Sequence, residues 1–447
     1  MNEPIFIARQ DTLEQEILPA HWLAQYKLFG EESYTFQDKE IWKKLCMSSA
    51  AANDRDMHAE ALEEMLTTFS AEHTGKWMLT VYGMDAAVLE GLASMAAIAA
   101  NGTAMAAVAG NALLMHAITN SETAMQAISR SQTAMQRIAN STTAMDAISG
   151  SKIARGAVQA SPYYNSYIKE NDMAIAKLVV SFANLASAGY SGMAGVAADA
   201  TAMNAVAASS TAMNAVAASS TAMNAVAASS TAMNAVAASS VARNAISASP
   251  YYDAKIKEND MAIAKLVVGF ANLESARYSG CAGMAADSTA MTAVAASSTA
   301  MTAVAASGVA LKAIAQAYKK TANMLQFLKA VNASDTLVKR IYSTLTNATA
   351  LFGAAQLGSQ DSVENANSWA TTSAAPNAFL ACACGYYGSS SDSVSVTYNG
   401  TVIAQKKTGT KQPGSVASTN VNAITMAPST FTENGDGYLA VQKFTAK

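Results

Sequence analysis

Four consecutive and identical copies of a ten-residue unit, Thr-Ala-Met-Asn-Ala-Val-Ala-Ala-Ser-Ser, occupy Thr201 to Ser240. The same pattern continues on both sides, with Met again at the third position: Met105, Met115, Met125, Met135, Met145, Met291 and Met301. A repeat of this regularity predicts a protein built by stacking similar elements rather than by closing one globular core.

The spacing of apolar residues within a unit favours a short helix. Met203, Val206 and Ala207 stand at i, i+3 and i+4, which is one helical face. A continuous helix is disfavoured, because each ten-residue step rotates that face by about 80°. The junction Ser209-Ser210-Thr211 supplies residues that cap helices and form turns. Each unit is therefore predicted to be a helix of about two turns and a tight turn, with the next helix stacked on it.

Variation between units predicts which positions are buried. The third position is Met or a long substitute and the sixth is Val or Ile, whereas the ninth is nearly always Ser. The fourth varies freely, as His116, Asp146, Asn204 and Thr292 show, and is predicted to face solvent. Because two helical turns are unstable alone, neighbouring units or neighbouring chains must cover the apolar face. A short-helix solenoid is favoured, with a β-solenoid and a frayed coiled coil as alternatives.

The charge pattern limits the possible partners. Charged residues make up 14% of the chain and the net charge is -3, which gives no reason to expect binding to nucleic acid. Two uncharged stretches, Gly91–Ser121 and Ala200–Ala242, are long enough to span a membrane, but Asn, Ser and Thr recur through both. The opening Met-Asn-Glu-Pro lacks the pattern of a secretion signal. These features predict a soluble assembly protein made in the cytoplasm, without membrane insertion.

A larger segment is duplicated around the decapeptides. Ser161-Pro-Tyr-Tyr164 and the residues 169–180 return as Ser249-Pro-Tyr-Tyr252 and residues 257–268, at an offset of 88 residues. Each copy, called an insert below, is predicted to contain a longer helix, at 171–187 in the first insert and 259–275 in the second. The inserts are interpreted as joints or lateral braces. Two copies of one brace are hard to reconcile with a single active site.

The two ends of the chain differ from the repeats. Residues 1–80 hold three of the four Trp and a dense mixture of charges, and Glu60–Phe69 has the pattern of an amphipathic helix. After the last repeats, a charged helix is predicted from Leu311 to about Phe352. Beyond residue 360, Ser, Thr, Asn and Gly replace Ala and Met. Strands are predicted at 378–384, 393–398, 401–405, 423–426 and 438–444, with Asn399-Gly400 as a type I′ hairpin turn.

The predicted fold class is mainly α, with a short-helix repeat shaft between a helical amino-terminal head and a small all-β carboxy-terminal domain. The predicted segments are the head at 1–80, decapeptides at 81–160, the first insert at 161–200, decapeptides at 201–248, the second insert at 249–288, decapeptides at 289–316, a helical connector at 317–360 and the β-rich tip at 361–447.

No residue pattern predicts catalysis, a cofactor or a metal site. The histidines His21, His58, His73 and His116 lack metal-binding spacing. Cys382 and Cys384 share one face of a predicted strand, where a metal site competes with simple burial, and burial is the preferred interpretation. The turn at 433–437 has two carboxylates but lacks the others of a calcium loop. The acidic cluster at 54–64 is interpreted as a solvated helix surface.

The predicted receptor-binding residues lie in the β-rich tip. They are Tyr386, Tyr387, Tyr398 and Asn399. Exposed tyrosines are common at binding surfaces and can stack on sugars. The alternative is that these tyrosines belong to the core.

The Thr-Ala-Met-x-Ala-Val/Ile-Ala-x-Ser units between Thr103 and Leu311, with the head, shaft and tip layout, resemble tail fibre proteins of tailed bacteriophages. The resemblance implies a structural virion protein that is made in the host cytoplasm. Its head would dock on tail or baseplate proteins, and its tip would bind a bacterial surface glycan or protein. Such fibres are commonly homotrimers. The resemblance identifies no individual functional residue.

Other functions fit the sequence less well. A tailspike that degrades glycans needs a large parallel β-helix with grouped Asp and Glu, and no stretch supplies it. An enzyme is therefore not predicted. A bacterial surface adhesin is expected to carry an export signal or anchor, and neither is seen. A non-enzymatic repeat scaffold is the remaining alternative.

Overall fold

The computed structural model describes Val88, Leu92 and residues 95–120, 122–317, 323–363, 368–371, 377–386, 393–407, 415–426, 429–434 and 437–447. The chain divides into two compact units, Met1–Val196 and Ala197–Lys447, which are described separately below. The described residues are mainly helical, with antiparallel sheet near the carboxy terminus. The predicted head, including the helix at Glu60–Phe69, lies outside the described residues.

Short helices follow one another closely through both units. In the first unit they are α1 (Met95–Ala100), α2 (Gly102–Gly110), α3 (Ala112–Asn120), α4 (Glu122–Ser129), α5 (Gln132–Ala139), α6 (Thr142–Gly150), α7 (Lys152–Gln159), α8 (Tyr164–Tyr167) and α9 (Asp172–Phe182). Helix α10 (Met193–Ala198) spans the boundary. The second unit continues with α11 (Ala200–Ala208), α12 (Ser210–Ala218), α13 (Ser220–Ala228), α14 (Ser230–Ala238), α15 (Ser240–Ser247), a π-helix (Asp253–Lys257), α16 (Asp260–Phe270), α17 (Cys281–Ala286), α18 (Ser288–Ala296), α19 (Ser298–Ala306), α20 (Gly308–Ala317), α21 (Met324–Asn332) and α22 (Asp335–Asn347).

The serine at position nine explains why each helix starts where it does. Ser209 has an extended backbone, and its hydroxyl accepts a hydrogen bond from the Ala212 backbone N–H at 3.2 Å. Ser239 does the same for Ala242. An N-cap of this kind satisfies a donor that would have no partner within the helix, so the helix begins at the next residue. The predicted helix of about two turns is confirmed, and the β alternative is excluded for these residues.

The buried positions agree with the predicted pattern. Met203 and Val206 are fully buried, whereas Asn204 at the fourth position is exposed. The prediction that the fourth position faces solvent is wrong for His116 and Asp146, which are half-buried. Met105, Met135 and Met301 are buried to the same degree in other units. Since this burial occurs within one chain, neighbouring units cover the apolar faces and no second chain is needed for that purpose.

The prediction that consecutive helices stack is wrong. The successive helices α18 and α19 are bent by 105° relative to each other. Many helices instead pack along the third helix before them, which for α5, α6 and α7 means α2, α3 and α4. In the second unit, α14 packs on α11, α15 on α12, α21 on α18 and α22 on α19. A sharp turn every ten residues brings the chain back over itself after about thirty.

The serines at these turns also bond to residues about thirty positions earlier in the chain. Ser131 donates its hydroxyl to the carbonyl of Ala99 at 2.6 Å, and Ser239 donates to Ala207 at 2.5 Å. The same bond over 32 residues joins Ser141 to Ala109, Ser151 to Thr119, Ser161 to Ser129, Ser229 to Ala197 and Ser249 to Ala217. One hydroxyl therefore accepts a hydrogen bond from the first turn of the helix that follows it. The same hydroxyl donates a hydrogen bond to a backbone carbonyl 32 residues earlier.

The insert helices are shorter than predicted. They end at Phe182 and Phe270 instead of about 187 and 275. Asn184 and Asn272 take the left-handed conformation, with φ of 58° and 57°. Beyond them, Leu185 N–H bonds to the Val180 carbonyl and Leu273 N–H to the Val268 carbonyl. This is the Schellman arrangement, which terminates a helix, and Asn tolerates its left-handed residue better than most side chains do.

The predicted single helix from Leu311 to Phe352 is also wrong. It is replaced by α20, α21 and α22, and residues 318–322 lie outside the described residues. Ser334 separates α21 from α22. Its hydroxyl accepts a hydrogen bond from the Leu337 N–H and so caps the start of α22. The first strand already begins at Phe352.

Two four-stranded antiparallel sheets complete the second unit. The strands are β1 (Phe352–Val363), β2 (Ser368–Thr371), β3 (Ala378–Tyr386), β4 (Ser393–Tyr398), β5 (Thr401–Lys407), β6 (Val421–Met426), β7 (Ser429–Asn434) and β8 (Gly437–Ala446). One sheet has the order β1-β8-β3-β6 and the other β2-β7-β4-β5. The predicted strands are confirmed, whereas β1, β2 and β7 were not predicted. Residues of both sheets share one core with α20, α21 and α22.

Candidate functional site

The hairpin β4–β5 carries two of the predicted receptor-binding residues. Asn399 and Gly400 form its turn with φ of 46° and 76°, as the predicted type I′ geometry requires. Asn399 is exposed at the end of the hairpin. Tyr398 precedes it but is only 4% exposed and belongs to the core. In this chain, therefore, Asn399 is available at the surface and the Tyr398 ring contributes to packing.

The other two predicted residues are located only in part. Tyr386 ends β3 and is paired with Gly437 of β8. Tyr387 lies outside the described residues, as does the side chain of Tyr386. The structure thus brings Tyr398 and Asn399 together at one turn and does not assign the other tyrosines to the same surface.

Buried polar side chains fix the sheets to the helices beneath them. Asn332 of α21 donates to the Ile424 carbonyl at 2.7 Å and accepts from the Ile424 N–H at 3.0 Å. The side chain thereby pairs with β6 as a neighbouring strand would. On α22, the Tyr342 hydroxyl contacts the Val416 carbonyl and the Gln442 side chain at 2.7 and 3.0 Å. These contacts hold the β1-β8-β3-β6 sheet on α21 and α22.

Each insert contains a fully buried lysine that the sequence analysis missed. In the first insert, Lys177 of α9 forms an ion pair with Asp146 of α6 at 2.5 Å. It also donates to the Ser187 carbonyl at 3.2 Å, and the Ser187 hydroxyl donates to the same Asp146 oxygen. One carboxylate therefore holds both the lysine and the loop that follows α9.

The second insert repeats this arrangement with a different partner. Lys265 of α16 donates to the Asn234 side-chain oxygen at 2.7 Å and to the Ser275 carbonyl at 2.9 Å. Ser275 donates to Asn234 at 3.0 Å. Because the partner is a neutral amide, burial lowers the pKa of Lys265. A single charge inside the apolar run Ala-Ile-Ala-Lys-Leu-Val-Val was the signal that could have revealed both lysines.

A group of ionisable side chains surrounds Tyr252 in the second insert. Burial raises the pKa of Tyr252 to about 12, and the negative charges of Asp253 and Glu258 add to this effect. Arg340 of α22 acts in the opposite direction. The phenol is therefore protonated at neutral pH, and charges from two distant segments meet at this point.

The remaining candidates show no assembled chemical site in the described part of the chain. No group of three or more His, Cys, Asp or Glu residues there is arranged to hold a metal ion. Cys382 is a buried free thiol, and the side chain of Cys384 lies outside the described residues. His116 is half-buried, and its Nε2 has no hydrogen-bond partner. The acidic cluster at 54–64, the other histidines and the centre of the 433–437 turn also lie outside the described residues.

Among the described residues, no individual helix has both the length and the apolar composition to cross a membrane, although two bent pairs of successive helices meet those criteria together. Comparison of the sequence with protein-family models and with curated proteins found no match.

Proposed function

We propose that this chain is a structural tail fibre protein of a tailed bacteriophage and mediates attachment to the host cell surface. In this proposal the decapeptides form the fibre shaft, a single-chain solenoid with three decapeptides per turn. The observation that carries the proposal is the repeated serine bond over 32 residues, as in Ser131 to Ala99 and Ser239 to Ala207. A contact that recurs at one spacing in both units would allow a shaft to be lengthened by adding units.

The buried and exposed residues of the decapeptides are those expected of a structural shaft. The Met and Val columns are buried, and each such side chain contributes about 1.5–3 kcal/mol when it is fully removed from water. Met203 and Val206 belong to these columns, while Asn204 and Thr201 keep the exterior polar. Such a surface offers no concentrated charge for substrate binding. We therefore propose a non-enzymatic, cofactor-free protein in which structure and attachment are the functions.

The proposed partners lie at the two ends. The amino-terminal head would bind tail or baseplate proteins, and the β-rich carboxy-terminal region would bind a bacterial surface glycan or protein. Within that region, the exposed turn at Asn399 is the first surface to test. The homotrimer implied by the resemblance stays a prediction, because the decapeptides bury their core without a second chain. The proposed location is the virion.

Deletions within Thr201–Ser240 test the shaft. Removing ten residues keeps the register of Met, Val and capping Ser, so we expect a folded protein with a melting temperature close to the parent. Removing five residues places Ala where Met is needed and Thr where Val is needed, so cooperative melting should be lost or strongly lowered. A thirty-residue deletion, one full proposed turn, is the matched control and should resemble the ten-residue deletion. Equal damage from the five- and ten-residue deletions would contradict the solenoid.

Attachment is tested with the whole protein. Purified protein should bind host cells and compete with adsorption of the virus that carries it, and antibodies to it should label the tail in electron micrographs. Imaging and mass in solution should show an elongated particle and give the number of chains. A compact particle, or labelling of the host cell instead of the virion, would contradict a fibre.

A further inference from the structure

A surface cleft of about 1020 Å³ lies within the second unit, away from the hairpin turn. One wall is the π-helical segment with Asp253 and Lys257, and the opposite wall is α22 with Lys339, Arg340 and Asn347. Its floor is formed by the beginning of α20 and the turn that leads into β1. The cleft size is comparable to that of small-molecule binding sites in other proteins.

Long-range hydrogen bonds join one wall to the floor and the other wall to the end of α19. The Glu258 carboxylate accepts from the backbone N–H groups of Gly308 and Val309 at 3.1 and 3.2 Å. On the other side, the Thr344 hydroxyl donates to the Ala305 carbonyl at 2.7 Å. Gly308 packs so closely that an added Cβ would lie 3.0 Å from both Ala348 and Leu351. The cleft is therefore built into the packing of the unit, and a ligand would not have to create it.

The acidic residues of the cleft have hydrogen-bond or ion-pair partners, whereas two of its basic residues form no ion pair among the described residues. Asp253 forms an ion pair with Lys257 at 3.2 Å, and both Glu258 oxygens are used at the start of α20. Lys339 and Arg340 are exposed on the α22 wall, and neither pairs with an acidic residue in the described ranges. The cleft thus offers two available cations beside an apolar floor containing Val309 and Leu351.

The two inserts have diverged on this side. Asp253 replaces the Asn165 of the first insert, and Lys255 replaces Tyr167, while Glu258 and Lys257 correspond to Glu170 and Lys169. The second insert therefore has the same residue that bonds to the start of α20, and it differs at the cleft by the charge of Asp253, whereas Lys255 bonds to Asn224 outside the cleft lining.

We propose that this cleft binds an acidic saccharide. A carboxylate or phosphate on the sugar would be held by Lys339 and Arg340, since cations that donate hydrogen bonds recognise both groups. The apolar face of the ring would lie on Val309 and Leu351, with its hydroxyls bonding to Asn347 and Ser343. The proposal rests on the proposed attachment function, which brings the protein to bacterial surface glycans.

The test is an array of oligosaccharides bearing uronic acid or phosphate groups, printed beside carboxyl-reduced or dephosphorylated counterparts. The full-length protein should bind acidic members and not their neutral counterparts. The double variant K339A/R340A should bind at least about tenfold more weakly, because it lacks both charge-assisted hydrogen-bond donors. K329A is the matched control, since Lys329 is an exposed cation on α21 outside the cleft, and should bind normally. Absence of binding to every acidic member, or equal loss in K329A, would overturn the proposal.

Host-cell binding separates this proposal from the attachment function. Cell binding that is reduced by K339A/R340A and not by K329A supports both. Full cell binding by the double variant, together with unchanged binding to the acidic saccharides, would mean that attachment uses another surface and that only the cleft proposal fails. Saccharide binding that depends on the cleft, in a protein that neither binds host cells nor occurs on virions, would refute attachment and leave the saccharide site standing.

Discussion

The two inserts share nearly the same sequence and fold, yet they bury their lysines against different partners. Lys177 faces the carboxylate of Asp146, whereas Lys265 faces the amide of Asn234. The serine carbonyl and serine hydroxyl around each lysine are conserved between the copies. The difference therefore compares a charged and a neutral partner that bond to the lysine in the same way. It also shows that the variable fourth position of a decapeptide acquires a specific role where an insert covers it.

A second difference concerns how closely the insert helix approaches its neighbour. In the second insert, a Cβ on Gly269 would lie 2.6 Å from the Ala237 carbonyl oxygen and 2.8 Å from the Ala237 Cα. The first insert has Ser181 at the equivalent position, and Ser149 in place of Ala237. Ser181 is buried and bonds back to the Leu178 carbonyl. The second copy is thus packed too closely for any side chain at 269.

The largest predicted effect comes from removing the lysine partners. D146A leaves a buried ammonium without its counter-charge, which costs on the order of 3 kcal/mol, somewhat reduced because Asp146 is 31% exposed. N234A removes only a neutral acceptor from Lys265 and should cost about 1–3 kcal/mol. Amide hydrogen exchange of residues 183–192 and 271–280 measures each local opening, and the unmutated insert is the control in the same molecule. A larger effect for N234A than for D146A would show that charge is not what distinguishes the copies.

The next effect tests the close approach at Gly269. G269S places a side chain against the backbone of Ala237 and should cost about 1–3 kcal/mol. The reciprocal change S181G should cost only about 0.5–1 kcal/mol, the usual penalty for glycine within a helix. Thermal melts and exchange of the α16 amides would measure the first change, and the α9 amides the second. Equal costs would mean that the two helices tolerate the same side chain and that the packing difference has no energetic consequence.

The helices of the decapeptides were predictable from the sequence because the residues that determine each helix and its cap lie within a few positions of one another. Met203, Val206 and Ser209 specify the buried face and the cap without reference to distant residues. The packing of a helix on the third helix before it was not predictable from one unit. It depends on the angle between successive helices, which the sequence of one unit does not give. The end of the insert helices depends on Asn184 and Asn272 taking a left-handed conformation, which a helical hydrophobic pattern does not reveal.

Less of the candidate site was predictable, because most of its features depend on contacts between residues that are distant in the sequence. The Asn399-Gly400 turn is local, so its type followed from two residues. Whether Tyr398 faces solvent or core depends on the sheet it joins, and it is buried. Likewise, the lysine partners lie 31 residues away from the lysines, and the charged cleft joins segments from residues 253 and 340. These relations arise from contacts between residues that are distant in the sequence, and no local pattern contains them.

The smallest predicted effect is a dependence of the stability of the second insert on pH. Burial lowers the pKa of Lys265, so above its folded pKa the unfolded chain binds more protons than the folded one. The stability of the second insert should therefore rise as pH increases toward the ordinary lysine pKa of about 10.4. N234D supplies a carboxylate, which favours the charged lysine, and should weaken or reverse that rise. Urea unfolding between pH 8 and 10.5 compares the two proteins, with D146N as the converse change in the first insert. If the free energy of unfolding of wild type and N234D changes with pH in the same way, the amide and the carboxylate are equivalent partners of Lys265. The difference between Asp146 and Asn234 would then not alter the charge of the buried lysine.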